Sequence, residues 1–147
     1  MSVALQTRHL MRGFGGLVAT NDVSLSLAKG ARHALIGPNG AGKTTLINLL
    51  TGVLAPSAGS IWLEGVDITR ISAAKRVALG LVRTFQINQL FPGFTPLQTV
   101  GLAVSRRLGL DRQIWRRMGA DARVVAGCVE VLERFDLIDV MNTQTAS

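Results

Sequence analysis

Apolar and polar residues alternate along Val23-Ser24-Leu25-Ser26-Leu27. That period of two predicts a half-buried strand, with Lys29-Gly30 as the turn that follows it. Residues 1–31 therefore read as a small antiparallel piece. The uninterrupted run Ala34-Leu35-Ile36 predicts a buried parallel strand. From Thr44 to Leu50 the period changes, with Leu46, Leu49 and Leu50 at helical spacing and Gly52 as the stop. APSAGS (55–60) is rich in turn residues, and SIWLEG (60–65) predicts a short strand closed by Gly65.

Further on, SAAKRVALG (72–80) predicts a short helix and LVRTF (81–85) a strand that delivers Gln86 to a loop. Thr95-Pro96 is a cap and first-turn pair for a helical region. A second helix is expected over 121–135, where Val124, Val125, Cys128, Val131, Leu132 and Phe135 recur at steps of three and four and are assigned to the core. The tail MNTQTAS is polar. No repeats or low-complexity tracts interrupt the chain.

The 147 residues, 48% of them hydrophobic, suffice for one core of ordinary size and argue against disorder. No apolar run approaches a membrane span, and MSVALQTRHLMRGFGG lacks the core of a signal peptide, so the expected location is the cytosol. The single cysteine, Cys128, is expected to pack as a small hydrophobe. His9 and His33 are the two histidines, expected as ordinary strand residues. Of the 16 basic residues, 13 are arginine, and RRLGLDRQIWRR gathers Arg106, Arg107, Arg112, Arg116 and Arg117 against Asp111 alone. That stretch is either a solvated face or a surface for nucleic acid, anionic lipid or an acidic partner. Trp115 as its one aromatic is too few for a platform that stacks single-stranded bases.

The chemistry concentrates in LIGPNGAGKTTL (35–46), which meets the pattern G-x-x-x-x-G-K-S/T with Gly37, Gly42, Lys43 and Thr44. A strand, a glycine loop and a helix start are the context in which backbone N–H groups converge on phosphate. Lys43 then reaches the β and γ phosphates, and the Thr44 hydroxyl ligates Mg²⁺. A phosphate-binding loop is expected over Gly37, Pro38, Asn39, Gly40, Ala41, Gly42, Lys43, Thr44 and Thr45. The mostly β pattern ahead of this loop sets the chain apart from nucleotide kinases, which usually open on their phosphate-loop strand.

With GPNGAGKTT (37–45), RTFQ (83–86) and Phe14 in RGFGGLVA in this order, the chain resembles the ATP-binding cassette ATPases, the nucleotide-binding subunits of ABC transporters. The resemblance implies an α/β P-loop NTPase fold of ABC type. It would comprise an antiparallel β part (1–31 and about 57–70), a partial RecA-like P-loop core (32–56 and 71–87) and the start of a helical subdomain (95–140). It implies ATP and Mg²⁺ as cofactors. Phe14 would stack on adenine, its rival reading being a core aromatic beside Gly15-Gly16. Gln86 would contact Mg²⁺ or the attacking water, its rival a surface residue ending a strand. Implied partners are transmembrane permease subunits and a second ATP-binding subunit. The subunit would lie on the inner face of the cell membrane, the basic residues near the permease, with no nucleic acid involved. GFGGLVATNDVSLSL, GLVRTFQ and Leu90-Phe91 look like the branched-chain amino acid importers, although TPLQTV places Gln98 and Thr99 where that group often has Glu and Asn.

Neither the family's apolar strand ending in Asp-Glu nor an LSGGQ-like signature occurs, and no histidine follows Gln86. The expectation is therefore an N-terminal portion, about three-fifths of a family domain. Its strand edge would be open, and the isolated chain is expected to be poorly stable and prone to aggregate or swap. Two further readings are a nucleotide-binding module without turnover and another P-loop enzyme. A GTPase would need D-x-x-G and N-K-x-D, both absent.

Overall fold

Two 12-residue strands, β1 (Val3–Phe14) and β2 (Leu17–Ala28), pair as an antiparallel hairpin closed by Gly15-Gly16, with Phe14 opposite Leu17. The computed structural model describes residues 2–84, 91, 93–110 and 121–144, divided between two units, 1–84 and 85–147.

In the first unit, β3 (Ala58–Leu63) pairs antiparallel with β1, and the two-residue β4 (Val66–Asp67) pairs with β3, giving the order β2-β1-β3-β4. The hairpin ladder is irregular between Thr7 and Leu10, where His9 and Asp22 both adopt left-handed backbone and Nδ1 of His9 lies 2.7 Å from an Asp22 carboxylate oxygen. His9 is thus a bulge residue rather than an ordinary strand position. Helix α1 (Lys43–Thr51) buries Leu46, Leu49 and Leu50 with Leu10, Ile61 and Ile68 from the sheet side, as the leucine spacing predicts. A short helix, α2 (Ala73–Ala78), follows β4.

Neither of two expected strands is found among the described residues. Residues 31–38 carry no strand pairing, with Leu35 49% and Ile36 89% exposed, and His33 falls in this stretch. A parallel strand is stable only as part of a ladder, and none of the described strands pairs with this run. Residues 81–84 likewise form no strand, and the rest of LVRTF and Gln86 lie outside the described residues.

The second unit contains α3 (Pro96–Arg107) and α4 (Ala122–Arg134). Thr95 caps α3 as expected, and Gln98 completes a capping box: its side chain accepts from the Thr95 N–H at 2.9 Å while Thr95 Oγ1 accepts from the Gln98 N–H. Gln at this position therefore has a local structural use. Val104, Val124 and Cys128 form the buried cluster, so the cysteine packs as a hydrophobe, and burial pushes its thiol pKa up. Leu132 is also buried, but Val125 and Phe135 are exposed. The expectation that both belong to the core is corrected: Val125 lies at the edge of the buried stripe, and Phe135 is the C-cap, one residue past the end of α4. Arg106 and Arg107 occupy the last turn of α3, where cations are favoured by the helix dipole. Arg112, Trp115, Arg116 and Arg117 are outside the described residues.

Candidate phosphate and nucleotide site

The loop between residue 36 and α1 turns through two left-handed glycines, Gly40 (φ 83°) and Gly42 (φ 80°), the second serving as the helix N-cap. No side chain caps α1, and its first turn has no acidic residue. The orphan N–H groups at this end, together with the positive end of the helix dipole, make it a favourable place for negative charge.

Lys43, the first residue of α1, folds back over the loop. Its Nζ donates to the carbonyl oxygens of Gly37 and Pro38, both at 2.6 Å. The Ala41 N–H donates to the Pro38 carbonyl at 3.3 Å, closing a turn around Asn39 and Gly40. These bonds close Gly37 to Lys43 into a ring through the lysine side chain. Thr44 is exposed in the first helical turn, and Thr45 is half-buried. Among the described residues no group of three or more His, Cys, Asp or Glu could hold a metal ion. A lone Thr44 hydroxyl therefore fits Mg²⁺ only as the ion is usually held beside nucleotides, with phosphate oxygens and water supplying the other ligands.

The loop is fastened to the hairpin. Gly42 lies so close to the Ala19 carbonyl in β2 that a Cβ on residue 42 would overlap it. Ala19 is two residues from Leu17, the partner of Phe14, or about 7 Å along the strand. Phe14, 43% exposed at the end of β1, is not a core aromatic. Gly37, Gly42, Lys43, Thr44 and Phe14 thus belong to one unit, with the aromatic on the hairpin to which the glycine loop is pinned.

The far end of α1 is held by a residue that the sequence pattern did not single out. Arg76 is 1% exposed, and its guanidinium donates to the carbonyls of Leu49 and Leu50 (2.7 Å each), Ile71 (2.9 Å) and Thr69 (3.0 Å). Burial lowers its pKa. Gly52 makes room for it: φ is +78°, and a Cβ there would meet Arg76 Nε at 2.8 Å. Arg83 Nη1 donates to the Asn48 side-chain oxygen on the same helix at 2.5 Å. Amphipathic spacing gives no warning of a buried cation satisfied wholly by backbone carbonyls.

A family model described as ABC transporter matches residues 20–147. The chain is 35% identical over 150 residues to the high-affinity branched-chain amino acid transport ATP-binding protein LivG of Escherichia coli strain K12, covering 97% of this chain and 58% of that protein. It is 34% identical over 124 residues to a ribose import ATP-binding protein of Rhizobium etli, covering 83% of this chain and 24% of that protein. A solved ATP-binding cassette of an ABC transporter in its ADP conformation superposes with a TM-score of 0.79 at 30% identity, covering 100% of this chain and 59% of that one. The chain thus spans no more than about three-fifths of the length of these relatives.

Proposed function

Since the chain belongs to the ABC transporter ATP-binding family and has its α/β fold, with the antiparallel β part and part of the helical subdomain, we propose that it binds ATP with Mg²⁺ through residues 37–45 and Phe14. The observation that carries this is the Gly37–Lys43 ring pinned to the aromatic hairpin at Ala19. Loop and α1 N–H groups would meet the phosphates, and Lys43 would exchange its two carbonyl acceptors for β and γ phosphate oxygens. Thr44, with Gln86, would hold Mg²⁺, which neutralises charge on the phosphate oxygens. Phe14 would stack on adenine. The domain assignment proposed is 1–31 and about 57–70 for the antiparallel part, 32–56 and 71–87 for the P-loop core, and 95–140 for the helical part.

In the whole protein this site would couple ATP binding and hydrolysis to solute import, working with permease subunits and a second ATP-binding subunit at the inner face of the membrane. Branched-chain amino acids are the favoured solute class. The support is the LivG relative, matched over 97% of this chain, and the RTFQ text around Gln86. The ribose relative, at 34% identity, marks how little identity alone says about the solute.

Calorimetric titration with ATP and Mg²⁺ tests the binding claim. Lys43→Ala should weaken binding by roughly tenfold or more, the value of a charge-assisted hydrogen bond. Equal affinity in the variant would sink the proposal. A second reading, binding without turnover, is favoured by the lack of an apolar run ending in Asp-Glu within these residues. Phosphate release from ATP that depends on Lys43 would rule it out.

A further inference from the structure

Arg12, two residues before Phe14 on β1, lies over the Phe14 ring with its guanidinium carbon 4.8 Å from the ring centroid. Residues two apart on a strand share a face, which is what brings the pair together. Arg12 is fixed from the other side as well, because Nη1 donates to the Ala55 carbonyl at 2.9 Å in the turn after α1. Its Nε is buried with no hydrogen-bond partner among the described residues. The cation is therefore held between one carbonyl and one aromatic face. Phe14 nevertheless keeps nearly half its surface open.

An aromatic ring carries negative charge on both faces, so two electron-rich rings resist lying flat on each other. A cation against one face draws that charge towards itself and makes the opposite face a better bed for a purine. It also restricts the ring's rotation, lowering the entropy lost when a base docks. Resting on the adenine reading of Phe14, we infer that Arg12 is a positioning residue for base recognition. It backs the ring so that adenine is stacked in a guanidinium–phenyl–purine sandwich, and it contributes nothing to the phosphates.

The test compares two ligands on the same chain, ATP and tripolyphosphate, each with Mg²⁺. Arg12→Gln removes the cation but keeps a side-chain donor for the Ala55 carbonyl, and Arg12→Lys keeps a cation over the ring. ATP affinity should fall roughly two- to fivefold in Arg12→Gln, in line with an exposed cation–π contact, and recover in Arg12→Lys. Tripolyphosphate affinity should not change, and Arg12→Gln should cause no further loss once Phe14 is alanine. Equal losses for both ligands would overturn the inference, as would unchanged ATP affinity in Arg12→Gln while Phe14→Ala still weakens ATP. If Phe14→Ala leaves ATP binding intact, the adenine reading fails and takes the inference with it. Should Arg12→Gln fail to fold, Arg12→Lys decides: an ATP-to-tripolyphosphate ratio near wild type supports the sandwich, and a ratio as low as that of Phe14→Ala refutes it.

Discussion

Gly42, the N-cap of α1, sits against the carbonyl of Ala19, with no room between them for a methyl group. Helix start and hairpin therefore meet backbone to backbone, and the glycine loop has a fixed seat on the antiparallel sheet. Two requirements coincide at this one position, a left-handed φ of 80° and the close approach. Either alone favours glycine; together they leave no substitute.

Replacing Gly42 with alanine should thus cost more than a simple left-handed strain. We expect destabilisation of about 1–3 kcal/mol, with loss of ATP binding of at least roughly tenfold as the loop is pushed off β2. Urea unfolding paired with ATP titration measures both; a variant with wild-type midpoint and affinity would contradict the geometry.

Arg76→Met should be among the most damaging single changes in the first unit. The thioether fills part of the space but leaves the carbonyls of Leu50, Ile71 and Thr69 short of donors, while that of Leu49 keeps the Gly52 N–H at 3.2 Å. Unsatisfied buried acceptors cost about 1–3 kcal/mol each before relaxation, so a net loss of about 3 kcal/mol is expected. Chemical denaturation reads it, and a loss under about 1 kcal/mol would show that water replaces the guanidinium.

At Gly127 on α4 two effects oppose each other. A Cβ would come within 2.9 Å of Val104 Cγ1 on α3. Gly127→Ala gains about 1 kcal/mol of helix propensity against about 1–3 kcal/mol of overpacking. A bulkier Gly127→Leu keeps the gain but multiplies the clash, so its thermal midpoint should drop below that of both alanine and glycine. Any rise would mean that the α3–α4 pair separates without cost.

Asp121 caps α4, and its bonds to the Arg123 side chain and N–H hold its carboxyl pKa down to about 2 from 3.8. The folded value lies below the unfolded one. Its contribution is therefore complete above about pH 4 and disappears as the pH falls towards 2. Asp67, lowered by the Thr69 hydroxyl and N–H, acts in the same sense. Asp121→Asn retains a capping oxygen and should flatten part of the acid limb. Helicity followed from pH 6 to 2 checks this, and an unchanged limb would assign it to other carboxylates.

Elements whose stability is local were legible in the sequence. Leu46, Leu49 and Leu50 with the Gly52 stop define α1, Thr95-Pro96 starts α3, and Asp121 starts α4. The glycine turn into α1 was legible for the same reason, since its glycines and lysine are adjacent in the chain. What depends on distant partners was not. Ala34-Leu35-Ile36 has the composition of a buried strand, but strand formation needs a neighbour. Arg76 looks like any solvated arginine on a short helix until the carbonyls of α1 are placed around it. Arg12 reads as a strand-surface residue, and only the Ala55 turn reveals that it is held.

Two of the three donors of the Lys43 ammonium are already taken by its own loop, with Gly37 and Pro38 as acceptors at 2.6 Å. Those carbonyls are competitors at effectively unlimited local concentration. An anion wins the lysine only if it offers more than two neutral oxygens do, which a chain of phosphates with several charges can and a single weakly charged ion cannot. On the proposed reading the loop would thus select by charge density before any contact with the base is made, since an anion must displace the bonds that close it.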